Sequence, residues 1–254
     1  MNISSCSLQA KVLVEEVNQG LFYPVFQPIL NGNGVVGAEV LLRWQKNFNV
    51  EESIRCLSEL DKIAWFTQRF LQVVAAEVLS KAKMINFLTI NISPIHVSSL
   101  TFIRDISPIL QACNKLGVTL WIELTERDRY PVGIDHKRML SQLGVCRGLG
   151  IKIALDDYGT GYNVGENLLN TVRPNILKID RSLMKNKSEN LLLWARFKHV
   201  AQKYNIGLLS EGIESAEDFS FAKSQGITYF QGYHLGKPGS LNQLLNQTKL
   251  KFAR

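Results

Sequence analysis

Short apolar, β-branched runs alternate along this chain with longer stretches at helical spacing. The runs span 22–30, 35–42, 87–92, 119–124, 151–155, 176–179, 207–209 and 228–230. Most are too short for a helix and are rich in Val, Ile, Leu and Phe, which fits buried strands. Between them, 64–79 places Phe66, Phe70, Val73, Val74 and Leu79 at helical intervals, and 191–204 does the same with Leu192, Trp194 and Val200. Strands that alternate with helices predict a parallel sheet, because parallel neighbours need crossover connections. About eight of them in 254 residues point to a closed (β/α)8 barrel of the TIM type, with an open doubly wound sheet as the rival architecture. No linker or composition break interrupts the pattern, so 1–254 reads as a single domain. Residues 1–25 hold little more than one helix, and 239–254 read as a C-terminal tail.

The polar residue that follows each run is more informative than the run. Glu39, Asn91, Glu123, Asp156 with Asp157, Lys178, Glu211 and Gln231 each stand at the C-terminal end of a predicted strand. Burying an unpaired carboxylate in a sheet costs on the order of several kcal/mol. These groups are therefore expected at a barrel mouth, where active sites form, or in pairs. Singly, an acid after a strand is most often a helix cap or an ion-pair partner. A whole set at equivalent strand ends is far less compatible with coincidence. Carboxylates and an amide without His or Cys form an oxygen-only ligand set, which suits Mg²⁺, Mn²⁺ or Ca²⁺. Two such ions can activate a water and stabilise the leaving oxygen of a phosphodiester.

Composition adds limits. Hydrophobic residues make up 46%, and the net charge is +7. A disordered or fibrous chain is excluded, and the charge is compatible with an anionic partner. Charge alone does not support DNA binding, since no helix-turn-helix pattern accompanies it. Cys6, Cys56, Cys113 and Cys146 are scattered, with no C-x-x-C pair, which fits a reducing compartment and excludes a zinc ribbon. No apolar run reaches the roughly 20 residues of a membrane span, and no signal peptide is evident. The cytoplasm is the expected location.

The motifs resemble one family along nearly the whole chain. Phe26-Gln27-Pro28-Ile29 followed by Gly37-Ala38-Glu39-Val40-Leu41-Leu42-Arg43-Trp44 is similar to the opening of EAL domains. Asn91-Ile92-Ser93-Pro94, Glu123-Leu124-Thr125-Glu126 and Asp156-Asp157-Tyr158-Gly159-Thr160-Gly161-Tyr162 resemble its N-L-S-P, E-L/I-T-E and D-D-F-G-T-G-Y segments. Leu177-Lys178-Ile179-Asp180-Arg181-Ser182, Glu211-Gly212-Ile213-Glu214 and Gln231-Gly232-Tyr233 complete the series in the family's order, over 26–238.

The resemblance implies a modified TIM-type barrel that hydrolyses cyclic di-GMP to linear pGpG with Mg²⁺ or Mn²⁺, with Ca²⁺ binding and inhibiting. By motif position, Glu39, Asn91, Glu123 and Asp156 would hold a first metal. Asp156 and Asp157 would serve a second, and Glu211 would help hold the pair. Lys178 would orient or deprotonate the attacking water, and Gln231 would position a water or a phosphate. Gln27 and Arg43 would contact substrate, Arg43 through its two-donor fork. Glu126 would brace the Gly-rich loop that runs from Asp157 to about Asn167, and this loop with the following helix would form a homodimer.

The chain departs from the family at three places. Its signature triplet is Glu39-Val40-Leu41 rather than E-A-L. Residues 45–50 lack the H-P-x-x-G stretch, which bears on the substrate-side wall. Asn163-Val164-Gly165-Glu166 replaces a Ser-rich stretch. No sensor or cyclase segment is recognisable, so a stand-alone EAL protein is expected. The alternative is a catalytically inactive member that binds cyclic di-GMP or another protein.

Overall fold

A computed structural model describes residues 3–79 and 85–252, with side chains over 10–79 and 85–246. Cys6 and the basic stretch 249–254 fall outside the described side chains. The elements run α1 (Ile3–Asn18), β1 (Phe22–Asn31), β2 (Gly34–Trp44), α2 (Val50–Glu59), α3 (Ile63–Leu79), β3 (Phe87–Ile92), α4 (Pro94–Val97), α5 (Phe102–Leu116), β4 (Thr119–Leu124) and α6 (Gly133–Gly148). They continue as β5 (Lys152–Leu155), α7 (Glu166–Val172), β6 (Ile176–Ile179), α8 (Arg181–Lys185), α9 (Leu191–Tyr204), β7 (Gly207–Ser210), α10 (Ala216–Ser224), β8 (Tyr229–Phe230) and α11 (Leu241–Phe252). The expected C-terminal tail thus carries helix α11.

The strands close into one barrel in sequence order, and β2 to β8 run parallel as the alternation predicts. The first strand differs: β1 is antiparallel to both β2 and β8. The cause is local. Only Gly32 and Asn33 separate β1 from β2, and a parallel crossover needs a dozen or more residues. The pair must fold back as a hairpin, and the Asn33 N–H donates to Asn31 Oδ1 at 2.8 Å in the turn. The barrel is thus a modified, mixed one rather than all-parallel.

Alternation along the strands makes two cores. Leu88, Ile90, Ile92, Leu120, Ile122, Leu124, Ile153, Leu155, Leu177 and Ile179 face outward and pack under the helices. Val40, where the family signature has Ala, belongs to this outer set, on the face opposite Glu39. Ile29, Phe87, Trp121, Ala154, Ile176 and Leu209 form a separate inner cluster. They fill the barrel toward the strands' N-terminal ends. The Phe87 and Trp121 rings stack at 3.8 Å, and Tyr229 meets both edge-on at 5.6 and 5.3 Å. No helix among the described residues is long and apolar enough to cross a membrane.

Gly37 is what lets this floor close, because a Cβ there would overlap the Phe87 ring. Gly37→Ala is expected to lower stability by ~1–3 kcal/mol, the usual cost of overpacking. Chemical denaturation measures it, and an unchanged midpoint would contradict the described floor.

Candidate active site

Above the apolar floor the same inward alternation presents polar side chains. Gln27 on β1 lies opposite Glu39 on β2, and Asn91 on β3 lies opposite Glu123 on β4. Lys178 points inward from β6. Asp156, Glu211 and Gln231 come one residue after β5, β7 and β8, yet their N–H groups still bond the neighbouring strand, to Leu124 O at 3.1 Å, Ile179 O at 3.1 Å and Ser210 O at 2.9 Å. The sheet geometry therefore extends one residue further and carries these three side chains into the mouth.

Lys178 lies at the centre. Its Nζ sits 2.7 Å from Glu123 Oε2, 2.8 Å from Asp156 Oδ1, 2.7 Å from Glu211 Oε1 and 3.7 Å from Glu39 Oε1. An ammonium has three N–H donors, and three carboxylates from three strands take them. The Lys178 side chain is 1% exposed and that of Glu123 is fully buried, while Asp156 and Glu211 keep partial access to solvent. Glu39 is held from its other sides. Asn91 Nδ2 donates to its Oε1 at 2.8 Å and Gln231 Nε2 to its Oε2 at 2.7 Å.

Two more acids meet at one edge. Glu126, Asp156 and Asp157 each offer a carboxylate oxygen within 4.8 Å of the others. Asp157 sits in the left-handed region at φ 43°, which costs a non-glycine residue about 1–2 kcal/mol. The expected substrate contacts lie outside this cluster. Gln27 Nε2 donates to Gly236 O at 3.4 Å. Arg43 lies four residues along β2 from Glu39, and its Nη1 donates to the adjacent Leu42 carbonyl at 2.7 Å.

The electrostatics follow from the imbalance of charge. Glu39, Glu123, Asp156, Asp157 and Glu211 are five acids around one lysine, a formal −4 when all are ionised. Burial, with Asp156 and Glu211 nearby, pushes Asp157 up to about 8. Burial likewise pushes Glu211 up to about 7, with Lys178 opposing and Asp156 and Glu39 adding. Glu123 is raised well above the usual carboxylate range, first by burial and then by Glu39 and Asp156, against the pull of Lys178. For Lys178 burial works downward, but the fields of Asp156, Glu123, Glu211 and Glu39 prevail and raise it.

Comparison with known proteins decides the family: the EAL domain matches residues 10–238. The chain belongs to the EAL family. Among curated relatives, the probable cyclic di-GMP phosphodiesterase PdeG of Escherichia coli (strain K12) is 29% identical over 240 residues, covering 90% of this chain and 46% of its own length. Cyclic di-GMP phosphodiesterase PdeF of the same strain is 30% identical over 249 residues, covering 92% of this chain and 32% of its own. The chain therefore spans less than half of either relative. Among solved structures, a standalone versatile EAL protein from Vibrio cholerae O395 in its c-di-GMP bound form has a TM-score of 0.70 at 28% identity, covering 86% of this chain and 92% of that one. The EAL enzyme Bd1971 in its cAMP bound form has a TM-score of 0.80 over 96% of this chain and 70% of that one, and at 22% identity shows the shared barrel.

EAL enzymes use divalent metals, and the side chains here fit such ions. The donor set is oxygen throughout. Buried Glu123 Oε1, Asp157 Oδ1 and Gln231 Oε1 have no hydrogen-bond partner, a costly state unless another group completes them. Glu126, the expected brace of the Gly-rich loop, takes that loop's hydrogen bond on its backbone carbonyl, from Tyr162 N at 2.8 Å, while its carboxylate accepts from Arg127 Nε at 3.0 Å.

The sequence marks Asn163 only as part of a departure from the family's Ser-rich stretch. It is fully buried and hydrogen-bonded on both sides of its amide. A single Asn in a Gly-rich stretch carries no signal that separates that role from an ordinary turn.

Acids raised to about 7 and 8 hold protons near neutrality that a bound cation displaces. Mn²⁺ binding at pH 7 is therefore expected to release protons, and affinity is expected to fall as pH drops through about 8 and then about 7. Calorimetry in buffers of different ionisation enthalpy counts them, and zero protons released would contradict the charge arrangement.

Proposed function

We propose that this chain hydrolyses cyclic di-GMP to linear pGpG, with Mg²⁺ or Mn²⁺ held at the barrel mouth and Ca²⁺ as an inhibitory substitute. The observation that carries the reading is the convergence of Glu39, Asn91, Glu123, Asp156, Lys178, Glu211 and Gln231 from separate strands onto one cluster. The EAL family membership supports it, as do relatives named for this activity. None of the implied ligand positions is altered, which favours a phosphodiesterase over an inert binder of the same dinucleotide.

Glu39, Asn91, Glu123 and Asp156 would hold the first ion, Asp156 and Asp157, beside Glu126, would serve a second, and Glu211 would help hold the pair. When bound, such ions polarise a water and neutralise the phosphodiester oxygens. The protein's own contribution is preorganisation. Asn91 and Gln231 fix both oxygens of Glu39, so that ligand is oriented before anything binds. Lys178 presents a positive charge at the centre of the acids, and cations taking over those carboxylates would free its N–H donors to orient the attacking water. Gln231 stands beside Glu39 with its Oε1 unpartnered, free to accept from a water. Gln27, paired with Glu39 across the hairpin, and Arg43, four residues further along β2, would contact the substrate, and Arg43 can exchange its bond to Leu42 O for a phosphate. Exposed Tyr162 and Val164 on the loop after Asp157 support a homodimer through that loop and the following helix.

The direct test is product analysis by chromatography after incubating the protein with cyclic di-GMP and Mg²⁺ or Mn²⁺. Formation of pGpG that EDTA abolishes is expected, and full activity in EDTA would sink the metal chemistry. Glu39→Ala is expected to lower turnover by on the order of a hundredfold or more, and a wild-type rate would remove Glu39 from the site. Lys178→Ala is expected to lower kcat while keeping most substrate affinity. Lost affinity with intact turnover would make Lys178 a phosphate-binding group instead.

A further inference from the structure

Between β5 and α7 the chain makes a compact turn that holds Asp157, and one buried amide closes it. Asn163 Nδ2 donates to Leu124 O at 2.8 Å and to Asp156 O at 2.7 Å. Those carbonyls lie at the C-terminal ends of adjacent strands β4 and β5, where sheet pairing is about to stop. Asn163 Oδ1 accepts from the Tyr130 hydroxyl at 2.7 Å, so each side of the amide is engaged and its orientation is fixed by its partners. The backbone adds closure, with Gly159 N donating to Asn163 O at 2.8 Å and Asn163 N to Thr160 O at 3.0 Å.

Asp157 is thereby clamped from both neighbours. Asp156 is tied through its carbonyl to Asn163 and through its N–H to Leu124 O, while Tyr158 N donates to Lys178 O at 2.9 Å on β6. A residue at φ 43° persists only where its surroundings over-determine it, and these bonds supply that. Tyr130 extends the clamp to the loop that follows β4, where Arg129 Nε donates to Tyr162 OH at 2.9 Å. The same β4 loop carries Glu126, whose carboxylate lies beside Asp156 and Asp157.

We infer that Asn163, oriented by Tyr130, is a positioning residue that sets Asp156, Asp157 and Glu126 in register as one cation-binding edge. This deepens the proposed function and rests on it. Asparagine is the residue for the task because it offers two donors and an acceptor in one plane. A serine, the residue type usual in this stretch of the family, has one donor and cannot serve both strand-end carbonyls. The clamp is thus a feature of this chain's departure from the Ser-rich pattern.

The test compares Asn163→Ser, Asn163→Ala and Tyr130→Phe with the full wild-type chain, and with Ser215→Ala, which removes the α10 capping box away from this loop. Mn²⁺ binding is measured by calorimetry without substrate, cyclic di-GMP turnover is titrated against Mn²⁺, and melting is followed in EDTA. The Asn163 variants are expected to weaken Mn²⁺ binding about tenfold and Tyr130→Phe about threefold. The half-saturating Mn²⁺ for turnover should rise in parallel, and kcat at saturating metal should change much less. Ser215→Ala should lower the melting temperature with unchanged Mn²⁺ affinity. If Asn163→Ser and Tyr130→Phe fold and bind Mn²⁺ as the wild type does, the inference is overturned while the phosphodiesterase reading stands. Weakened Mn²⁺ binding in the variants of a wild type that binds the ion without hydrolysing cyclic di-GMP upholds the inference and overturns that reading. A wild type that binds no Mn²⁺ overturns both.

Discussion

One lysine among five acids governs this molecule. Lys178 extends from β6 into the barrel mouth and meets carboxylates from β4, from the residue after β5 and from the residue after β7 at 2.7–2.8 Å, with Glu39 of β2 a little further off. Its partners come from strands on either side of β6 and beyond, so the cluster exists only if the barrel is closed and the strands are in register. A slip of one residue in β2 or β4 would turn Glu39 or Glu123 into the outer hydrophobic layer and an aliphatic neighbour into the mouth. Removing one partner of a buried charge cluster is costly because the remaining charges keep their desolvation. Here the remaining charges are acids, so the arrangement favours whatever cations complete it.

The rest of the barrel divides into a part that holds and a part that acts. Below the cluster, Phe87, Trp121 and Tyr229 interlock over Gly37 and exclude water from the strands' N-terminal half. Above it, the strand ends release their chains into loops, and polar groups are tolerated because they face one another. This split follows from strand geometry, since the same alternating positions supply aromatic rings at one end and carboxylates at the other. The β1–β2 hairpin serves the mouth as well as closing the sheet. It brings Gln27 beside Glu39 and sets Arg43 four residues further along β2.

The loop after β5 shows how a strained position can be kept. Asp157 adopts a left-handed backbone without the freedom of glycine, whereas Gly161 beside it is required, because a side chain there would overlap the Glu126 carbonyl. The Asn163 amide and the hydrogen bond from Tyr162 N to Glu126 O tie this turn to the loop after β4. Two loops from adjacent strands thus behave as one unit at the edge of the site.

Much of this was legible in the sequence. The alternation of apolar runs and helical stretches places all eight strands, and the residues at their ends, Glu39, Asn91, Glu123, Asp156, Lys178, Glu211 and Gln231, share the strand-end position expected of a common rim. Such features are local: strand period, residue type and the end of each run are written in consecutive residues. The direction of β1 was not read, because the alternation by itself suggested a parallel neighbour, whereas the two-residue turn makes a hairpin. Which acids meet the lysine and how Glu39 is gripped by two amides were beyond the sequence. So were the αL geometry of Asp157 and the clasp of Asn163 on carbonyls 39 and 7 residues away. These depend on distances between segments remote along the chain, which are set only when closure of the barrel fixes every strand against its neighbours.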